Sequence, residues 1–176
     1  MTAQARTHRF LQLVEESYED LELWYPVLRL QEAGMEVVLA GKEMNTVYQG
    51  KSGTRVTTTA SFAELNAADF DGVLIPGGWA PDKLRRYPEV LDIVRHMDRE
   101  EKIIAQICHA GWVLISANVL NGRTVTSTPA IRDDMVNAGA RWVDEPVVTN
   151  GTLISAQGPK DLPGYMKALL RVVAAE

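Results

Sequence analysis

Short apolar runs alternate with amphipathic segments along most of the chain. The continuous apolar runs have the length and composition of buried strands, and the amphipathic segments repeat their apolar residues with helical spacing. The predicted strands cover residues 10–14, 35–40, 56–59, 70–75 and 102–107. The predicted helices cover residues 20–33, 89–100, 110–117, 131–138 and 162–175. This alternation predicts an α/β fold in which a mostly parallel sheet carries helices on both faces.

The C-terminal third of the chain predicts shorter strands. Residues 124–127 and 141–143 are strand-like, and residues 146–149 and 152–156 flank the dipeptide Asn150-Gly151. Asn-Gly between two apolar runs is a strong signal for the two-residue turn of a β-hairpin. We therefore predict a hairpin before the last helix.

Three chemically distinctive features follow predicted strands. They are the acidic segment that begins at Glu15, the diglycine Gly77-Gly78, and Cys108. In sheets of this kind the ligand crevice lies at the carboxyl ends of the strands. The fold would gather these distant residues at one edge, and this convergence predicts a functional site there.

Cys108 is the strongest candidate for chemistry. It follows a buried strand, and Ala110 and Gly111 are small enough for a tight exit into a helix. Such an elbow holds a nucleophile clear of the sheet, and the helix N-terminus beside it favours the thiolate. The alternative role is that of a small buried hydrophobic residue. The elbow favours the reactive role.

His109 and Glu22 are candidates for tuning that cysteine. The sharp bend of an elbow can turn His109 towards the sulfur, whereas the alternative is a histidine that caps the turn. Glu22 lies on a helix that starts at the edge of the site, where a carboxylate can hydrogen-bond the cysteine and set its pKa. The other acidic residues of the segment, Glu15, Glu16 and Asp20, are expected in a solvated loop and helix N-terminus.

Gly77 and Gly78 are candidates for binding a negatively charged oxygen. A diglycine after a strand often forms only a turn. Beside a nucleophile it also exposes backbone N–H groups that can hold an oxyanion. Trp79 and Trp112, next to the diglycine and the elbow, are either core residues or a roof over the pocket.

Composition narrows the functional classes. The 176 residues fit one domain, and 46% hydrophobic with 23% charged residues is typical of a globular protein. A net charge of −5 without a basic tract argues against a nucleic-acid partner. No apolar run is long enough for a membrane helix, and residues 1–8 are expected to be a mobile polar tail rather than a signal peptide. A single cysteine indicates a reducing compartment, so a cytoplasmic location is expected. No metal-ligand spacing is present.

Several motifs resemble those of the PfpI family, within the class I glutamine amidotransferase-like superfamily. The resemblance runs in order from about Phe10 to Val173. It is carried by Glu19-Asp20-Leu21-Glu22-Leu23-Trp24-Tyr25-Pro26, Leu74-Ile75-Pro76-Gly77-Gly78-Trp79-Ala80-Pro81-Asp82, Ala105-Gln106-Ile107-Cys108-His109 and Thr126-Ser127-Thr128-Pro129-Ala130-Ile131-Arg132-Asp133-Asp134.

The resemblance implies a three-layer flavodoxin-like sandwich with a nucleophile elbow, formed by a single domain over residues 1–176 that needs no cofactor or metal. It implies Cys108 as nucleophile, His109 as its partner and Glu22 as the glutamate near the sulfur. Gly77, Gly78 and Ala110 are the residues that we expect to bind the oxyanion or substrate. The resemblance also implies a homo-oligomer, a dimer or a hexamer. The position of Asp82 matches an acidic residue that contacts the histidine of a neighbouring subunit, where protease-like members carry glutamate.

The function that this resemblance implies first is a cysteine-dependent enzyme for reactive carbonyl compounds, of glyoxalase or deglycase type, in stress protection. An intracellular cysteine peptidase acting on peptides is an alternative. A non-enzyme alternative is a stress protein that senses oxidants through Cys108 or holds unfolded proteins. All three remain open, because one activated cysteine beside a carboxylate serves each of them.

Overall fold

The computed structural model, which describes residues 7–175, is built around a seven-stranded sheet. The strands in chain order are β1 (Arg9–Leu13), β2 (Glu36–Gly41), β3 (Val47–Gln49), β4 (Arg55–Thr57), β5 (Ala60–Ser61), β6 (Gly72–Ile75), β7 (Ile103–Ile107), β8 (Thr124–Val125), β9 (Arg141–Trp142), β10 (Val147–Asn150) and β11 (Leu153–Ala156). The large sheet has the order β10-β11-β7-β6-β1-β2-β5, and its neighbours are parallel except for the antiparallel pair of β10 and β11.

The helices cover both faces of this sheet. They are α1 (Asp20–Glu32), α2 (Ala80–Leu84), α3 (Pro88–Arg99), α4 (Gly111–Ala117), α5 (Arg132–Asn137) and α6 (Leu162–Val173). None of these helices, within residues 7–175, is long and apolar enough to cross a membrane.

Two apolar clusters fill the space between the layers. One holds Leu11 and Ile104 together with buried residues of α3 and α4. The other holds Phe10 and Ile103 together with buried residues of α6. Adjacent residues of one strand thus enter opposite clusters, because successive side chains of a strand point to opposite faces. The predicted α/β architecture with a mostly parallel sheet is confirmed.

The predicted hairpin is present, but its turn lies one residue later. Asn150 is the last residue of β10 and pairs with Leu153, so the two connecting residues are Gly151 and Thr152. Gly151 has a φ of 63°, the left-handed conformation that glycine adopts without steric penalty. The sequence therefore predicted the hairpin correctly but placed its turn one residue too early.

Local elements differ from the prediction at three further places. The predicted strand at 56–59 is β4, and it pairs with β3 in a separate two-stranded ribbon that was not predicted. The helix predicted at 110–117 begins instead with a 3-10 turn, Cys108–Ala110, before α4. Helix α2 was also missed. Each of these elements is five residues or shorter, so periodicity has too few positions to reveal it.

His8, the last residue of the predicted mobile tail, is part of the fold. Residues 1–6, which make up most of the predicted mobile tail, lie outside the described residues. His8 already belongs to the fold, because its carbonyl oxygen accepts a hydrogen bond of 2.9 Å from the N–H of Glu36. Its imidazole lies 3.6 Å from the carboxylate of Asp71.

Candidate active site

Cys108 stands on a strained elbow at the carboxyl end of β7. Its φ of 62° lies in the left-handed region, which is uncommon for a residue with a side chain. The small residues after it let the chain turn at once, since a Cβ on Gly111 would lie 2.5 Å from Sδ of Met135. Strained backbone of this kind is often found at functional sites. The predicted nucleophile elbow is therefore present.

His109 lies directly against the sulfur. Its Nδ1 is 3.2 Å from Sγ of Cys108. The imidazole lies between two indoles, with ring-centroid distances of 6.1 Å to Trp79 and 5.2 Å to Trp112. Partial burial, together with the positive charge of Lys51, lowers the pKa of His109. This shift favours the neutral imidazole, which is the form that can accept a proton.

Glu22 is a buried carboxyl on the first turn of α1. The side chain of Glu19 caps this helix by accepting a 2.9 Å hydrogen bond from the N–H of Glu22. Oε2 of Glu22 accepts a 2.8 Å hydrogen bond from the N–H of Gly77, whereas Oε1 is buried without a hydrogen-bond partner of ordinary geometry among the described residues. Burial, reinforced by the charge of Glu19, raises the pKa of Glu22 to about 7.

Gly77 separates this carboxyl from the cysteine. A Cβ at Gly77 would lie 2.6 Å from Cβ of Cys108 and 3.1 Å from its sulfur, and it would collide with Oε2 of Glu22. The absence of a side chain therefore allows the carboxyl and the thiol to approach each other. Their interaction contributes to the pKa of both groups.

The backbone N–H groups of Gly78 and His109 interact with the sulfur and act to lower the pKa of the thiol. Gly78 has a φ of 75°, and a Cβ there would lie 2.5 Å from backbone atoms of Ser17 and Glu19. The N–H of Gly77, by contrast, already donates to Glu22. It is therefore not free to bind an oxyanion, although the sequence predicted that role.

Ala110 was predicted to contact the oxyanion or substrate. Its side chain is fully buried in the larger apolar cluster, so it does not line an open pocket. Only its backbone is left for that role, which stays a prediction.

The thiol is less acidic than the sequence predicted. Burial, followed by the negative charge of ionised Glu22, raises the pKa of Cys108 to about 12. The expected effect of a helix dipole is outweighed, because α4 has seven residues and is separated from the sulfur by the 3-10 turn. The resting group is therefore the thiol, which needs a base when it reacts.

The acidic segment is largely buried, contrary to the expectation of a solvated loop. The carboxylate of Glu15 accepts a 2.7 Å hydrogen bond from the hydroxyl of Tyr87. The carboxylate of Asp20 accepts hydrogen bonds of 2.8 Å and 2.9 Å from the N–H groups of Ser52 and Thr54. These carboxylates hold neighbouring elements around the site, and the pKa of Asp20 is lowered by its hydrogen bonds despite the opposing effect of burial.

Asp82 lies on α2 and pairs with a nearby arginine. Its half-exposed carboxylate is 2.5 Å from the guanidinium of Arg86. The predicted contact with His109 of a neighbouring subunit stays a prediction. Elsewhere, no three His, Cys, Asp or Glu side chains of residues 7–175 are grouped so that they could hold a metal ion.

Lys51 is a residue of the site that sequence reasoning missed. Its positive charge acts to lower the pKa of both Glu22 and His109. It lies between Gly50 and Gly53 in a polar stretch without periodicity, which signals a turn but gives no indication of its distant neighbours.

Comparison with known proteins assigns the family. The model of the DJ-1/PfpI family matches residues 8–172. Deglycase PH1704 of Pyrococcus horikoshii is 42% identical over 165 residues, which span 94% of this chain and 99% of that protein. General stress protein 18 of Bacillus subtilis is 38% identical over 158 residues, covering 89% of this chain and 92% of that protein. The chain belongs to the DJ-1/PfpI family.

Solved structures confirm the fold. A two-domain protein from Anabaena variabilis, with DJ-1/ThiJ/PfpI-like and ferritin-like domains, superposes with a TM-score of 0.94 at 38% identity. The match covers 96% of this chain and 48% of that one, so this chain spans about half its length. Drosophila melanogaster DJ-1beta has a TM-score of 0.88 at 27% identity, with coverage of 95% and 91%. The predicted flavodoxin-like sandwich is therefore confirmed.

Proposed function

We propose that this protein is a cysteine-dependent enzyme that converts reactive carbonyl compounds, in a glyoxalase- or deglycase-type reaction that protects against stress. The observation that carries the proposal is the position of the Cys108 thiol, 3.2 Å from Nδ1 of His109 and beside a buried carboxyl whose pKa is about 7. Relatives named deglycase and general stress protein support it.

The first step is addition of the thiol to an aldehyde. Sγ of Cys108 forms a bond to the carbonyl carbon while Nδ1 of His109 accepts the thiol proton. The electron pair of the carbonyl π bond moves to the oxygen, which the N–H groups of Gly78 and His109 stabilise. Donors placed in this way stabilise a developing oxyanion more strongly in a water-excluded site than in water. Return of the proton to that oxygen gives a hemithioacetal.

The second step moves a proton between adjacent carbons. With methylglyoxal, the carboxylate of Glu22 removes the proton of the hemithioacetal carbon, and the resulting enediol is protonated at the neighbouring carbon. The former aldehyde carbon is oxidised to a thioester and the ketone carbon is reduced to an alcohol, so no external redox partner is needed. Water then releases lactate and restores the thiol. A carboxyl with a pKa of about 7 suits such transfer at neutral pH.

The same geometry supports peptide hydrolysis less well. In cysteine and serine proteases a third group orients the histidine and stabilises its charged form. Asp82 pairs with Arg86 in this chain, and the neighbours of the His109 ring are two indoles. An imidazole without an acidic partner is a sufficient base for one proton but a weaker member of a triad.

Turnover of methylglyoxal tests the proposal. Purified protein is incubated with methylglyoxal, and the formation of lactate is followed for the wild type and for Cys108→Ser. A fluorogenic peptide is tested in parallel. We expect lactate from the wild type alone. Peptide cleavage that depends on Cys108, in the absence of lactate formation, would overturn the proposal in favour of a peptidase.

A further inference from the structure

Three backbone segments lie side by side at the edge of the site. The N–H of Lys51 donates to the carbonyl of Tyr18 at 2.9 Å. Tyr18 in turn forms an isolated antiparallel bridge with Gly78, whose backbone N–H acts to lower the pKa of the Cys108 thiol. The backbone of Lys51 is therefore next to that of Tyr18, which is next to that of Gly78.

The loop that carries Lys51 is held firmly in place. Both oxygens of Asp20 accept hydrogen bonds from this loop, through the N–H groups of Ser52 and Thr54. The hydroxyl of Tyr18 donates to the carbonyl of Thr54 at 3.0 Å. The buried carboxylate thus fixes the backbone on either side of Gly53, and the position of Lys51 relative to the site follows from these bonds.

Lys51 is an exposed residue. Within the described part of the chain Lys51 forms no ion pair. The carboxylates of Asp20 and Glu22 accept hydrogen bonds from backbone N–H groups and form no ion pair with Lys51. Its charge nevertheless reaches the catalytic groups, since it acts on the pKa of Glu22 and of His109.

We propose that Lys51 binds an anionic group of the substrate, so that the site selects dicarbonyl compounds that carry a carboxylate. This inference rests on the proposed function and narrows its substrate class. A lysine is a point charge on a flexible stem, which suits a carboxylate at varying distance from the reacting carbonyl. A positive charge at the site also raises the local concentration of anionic substrates.

The turnover test compares two α-oxoaldehydes of equal chain length. One is γ,δ-dioxovalerate, which carries a carboxylate, and the other is propylglyoxal, which is neutral. We expect the ratio of kcat/KM for the anion to that for the neutral compound to fall by roughly threefold to tenfold in Lys51→Met. Lys51→Arg should keep most of the ratio. Lys167→Met, which removes an exposed charge from α6, should leave it unchanged.

An alkylation test needs no turnover. Iodoacetate and iodoacetamide have nearly the same shape and differ in charge, so the ratio of their rates at Cys108 reports on a nearby cation. We expect this ratio to fall in Lys51→Met, to persist in Lys51→Arg and Lys167→Met, and to decrease for the wild type as salt screens the charge.

The outcomes separate the two proposals. If no dicarbonyl compound is converted, both the proposed enzyme function and the proposed substrate class are overturned. If neutral dicarbonyls are converted but neither ratio changes in Lys51→Met, the enzyme function stands and the role of Lys51 is overturned. A change in the alkylation ratio without a change in the turnover ratio also overturns the selection of anionic substrates.

Discussion

The carboxylate of Glu22 accepts a 2.8 Å hydrogen bond from the backbone N–H of Gly77. This bond joins the first turn of α1 to the loop that follows β6, and it orients a carboxyl that is almost completely buried. The carboxyl that the proposed mechanism uses for proton transfer is thus positioned by backbone rather than by a flexible side chain. The position of the Glu22 carboxyl therefore depends on Gly77, a residue without a side chain.

The first prediction concerns Gly77→Ala. The new Cβ would lie 2.6 Å from Cβ of Cys108 and would also collide with the carboxyl of Glu22, so one of the two groups must move. A displacement of about 1 Å can reduce a catalytic rate by on the order of 100-fold. We expect such a loss in kcat/KM for methylglyoxal. Gly158→Ala is the matched control, because a Cβ there meets no atom within 4 Å. Equal activity of both variants would contradict this packing.

The second prediction concerns the acidity of the thiol. The negative charge of Glu22 raises the pKa of Cys108, second only to burial, so Glu22→Gln should lower that pKa. The rate of iodoacetamide labelling, measured against pH, should reach half its maximum at a lower pH in Glu22→Gln than in the wild type. Turnover of methylglyoxal should nevertheless fall, because an amide cannot transfer the proton between carbons.

Glu22→Ala serves as the control for that experiment. It also removes the charge, but it loses the oxygen that accepts from Gly77. An increase in the thiol pKa in Glu22→Gln would contradict the account, because it would show that a protonated Glu22 stabilises the thiolate by donating to it. Identical pKa values in all three proteins would show that the two side chains do not interact.

The third prediction concerns stability. The pKa of Glu22 in the folded protein is about 7, above the ordinary value of 4.5, so the folded state retains its proton more tightly than the unfolded state. The associated stabilisation is present below about pH 4.5 and is lost as the pH rises towards 7. Glu22→Gln cannot ionise there, so its stability relative to the wild type should increase by up to about 3 kcal/mol between acidic and mildly alkaline pH. Urea unfolding at several pH values measures this. A constant difference would contradict the raised pKa.

The fourth prediction concerns Asp82. Its carboxylate pairs with Arg86, and it is one methylene shorter than the glutamate expected at this position from the family resemblance. We expect Asp82→Ala to change turnover little and Asp82→Glu to raise it by extending the carboxylate towards His109 of a neighbouring subunit. A large loss in Asp82→Ala would show that aspartate already makes its contact.

The contact expected for Asp82 requires an oligomer. Light scattering at micromolar concentration should therefore find a dimer or a hexamer. If only a monomer is found, Asp82 has no route to a second His109 and is not a site residue.

Much of the fold was predictable because long elements repeat their pattern. Strand β7 is buried throughout, and helix α3 presents a regular apolar face, so each was predicted to within one residue. The ribbon of β3 and β4 was not predicted, because each strand has only three residues and only the central residue of each is buried. Lys51 lies in the turn between these two strands, and its place beside the site was missed for the same reason.

Cys108, His109 and Glu22 were predictable members of the site, whereas Lys51 and the charges of the site were not. Sequence placed Cys108 and Glu22 at one edge of the sheet, and the structure brings their side chains together. It also suggested solvated carboxylates and an ionised thiol. Both expectations failed because burial depends on how loops fold over one another, as Asp20 shows with its hydrogen bonds to Ser52 and Thr54. No local pattern encodes contacts between segments that are more than thirty residues apart.

The most direct test of the account follows the fate of the substrate carbon on the protein. Isotope-labelled methylglyoxal is mixed with an equal amount of protein, and the labelled carbon is followed by nuclear magnetic resonance. We expect a sulfur-bound hemithioacetal signal that precedes lactate in the wild type, and neither signal in Cys108→Ser. Lactate formed at the same rate by Cys108→Ser, or formed by the wild type with no sulfur-bound species at any time, would contradict the role of Cys108 as nucleophile.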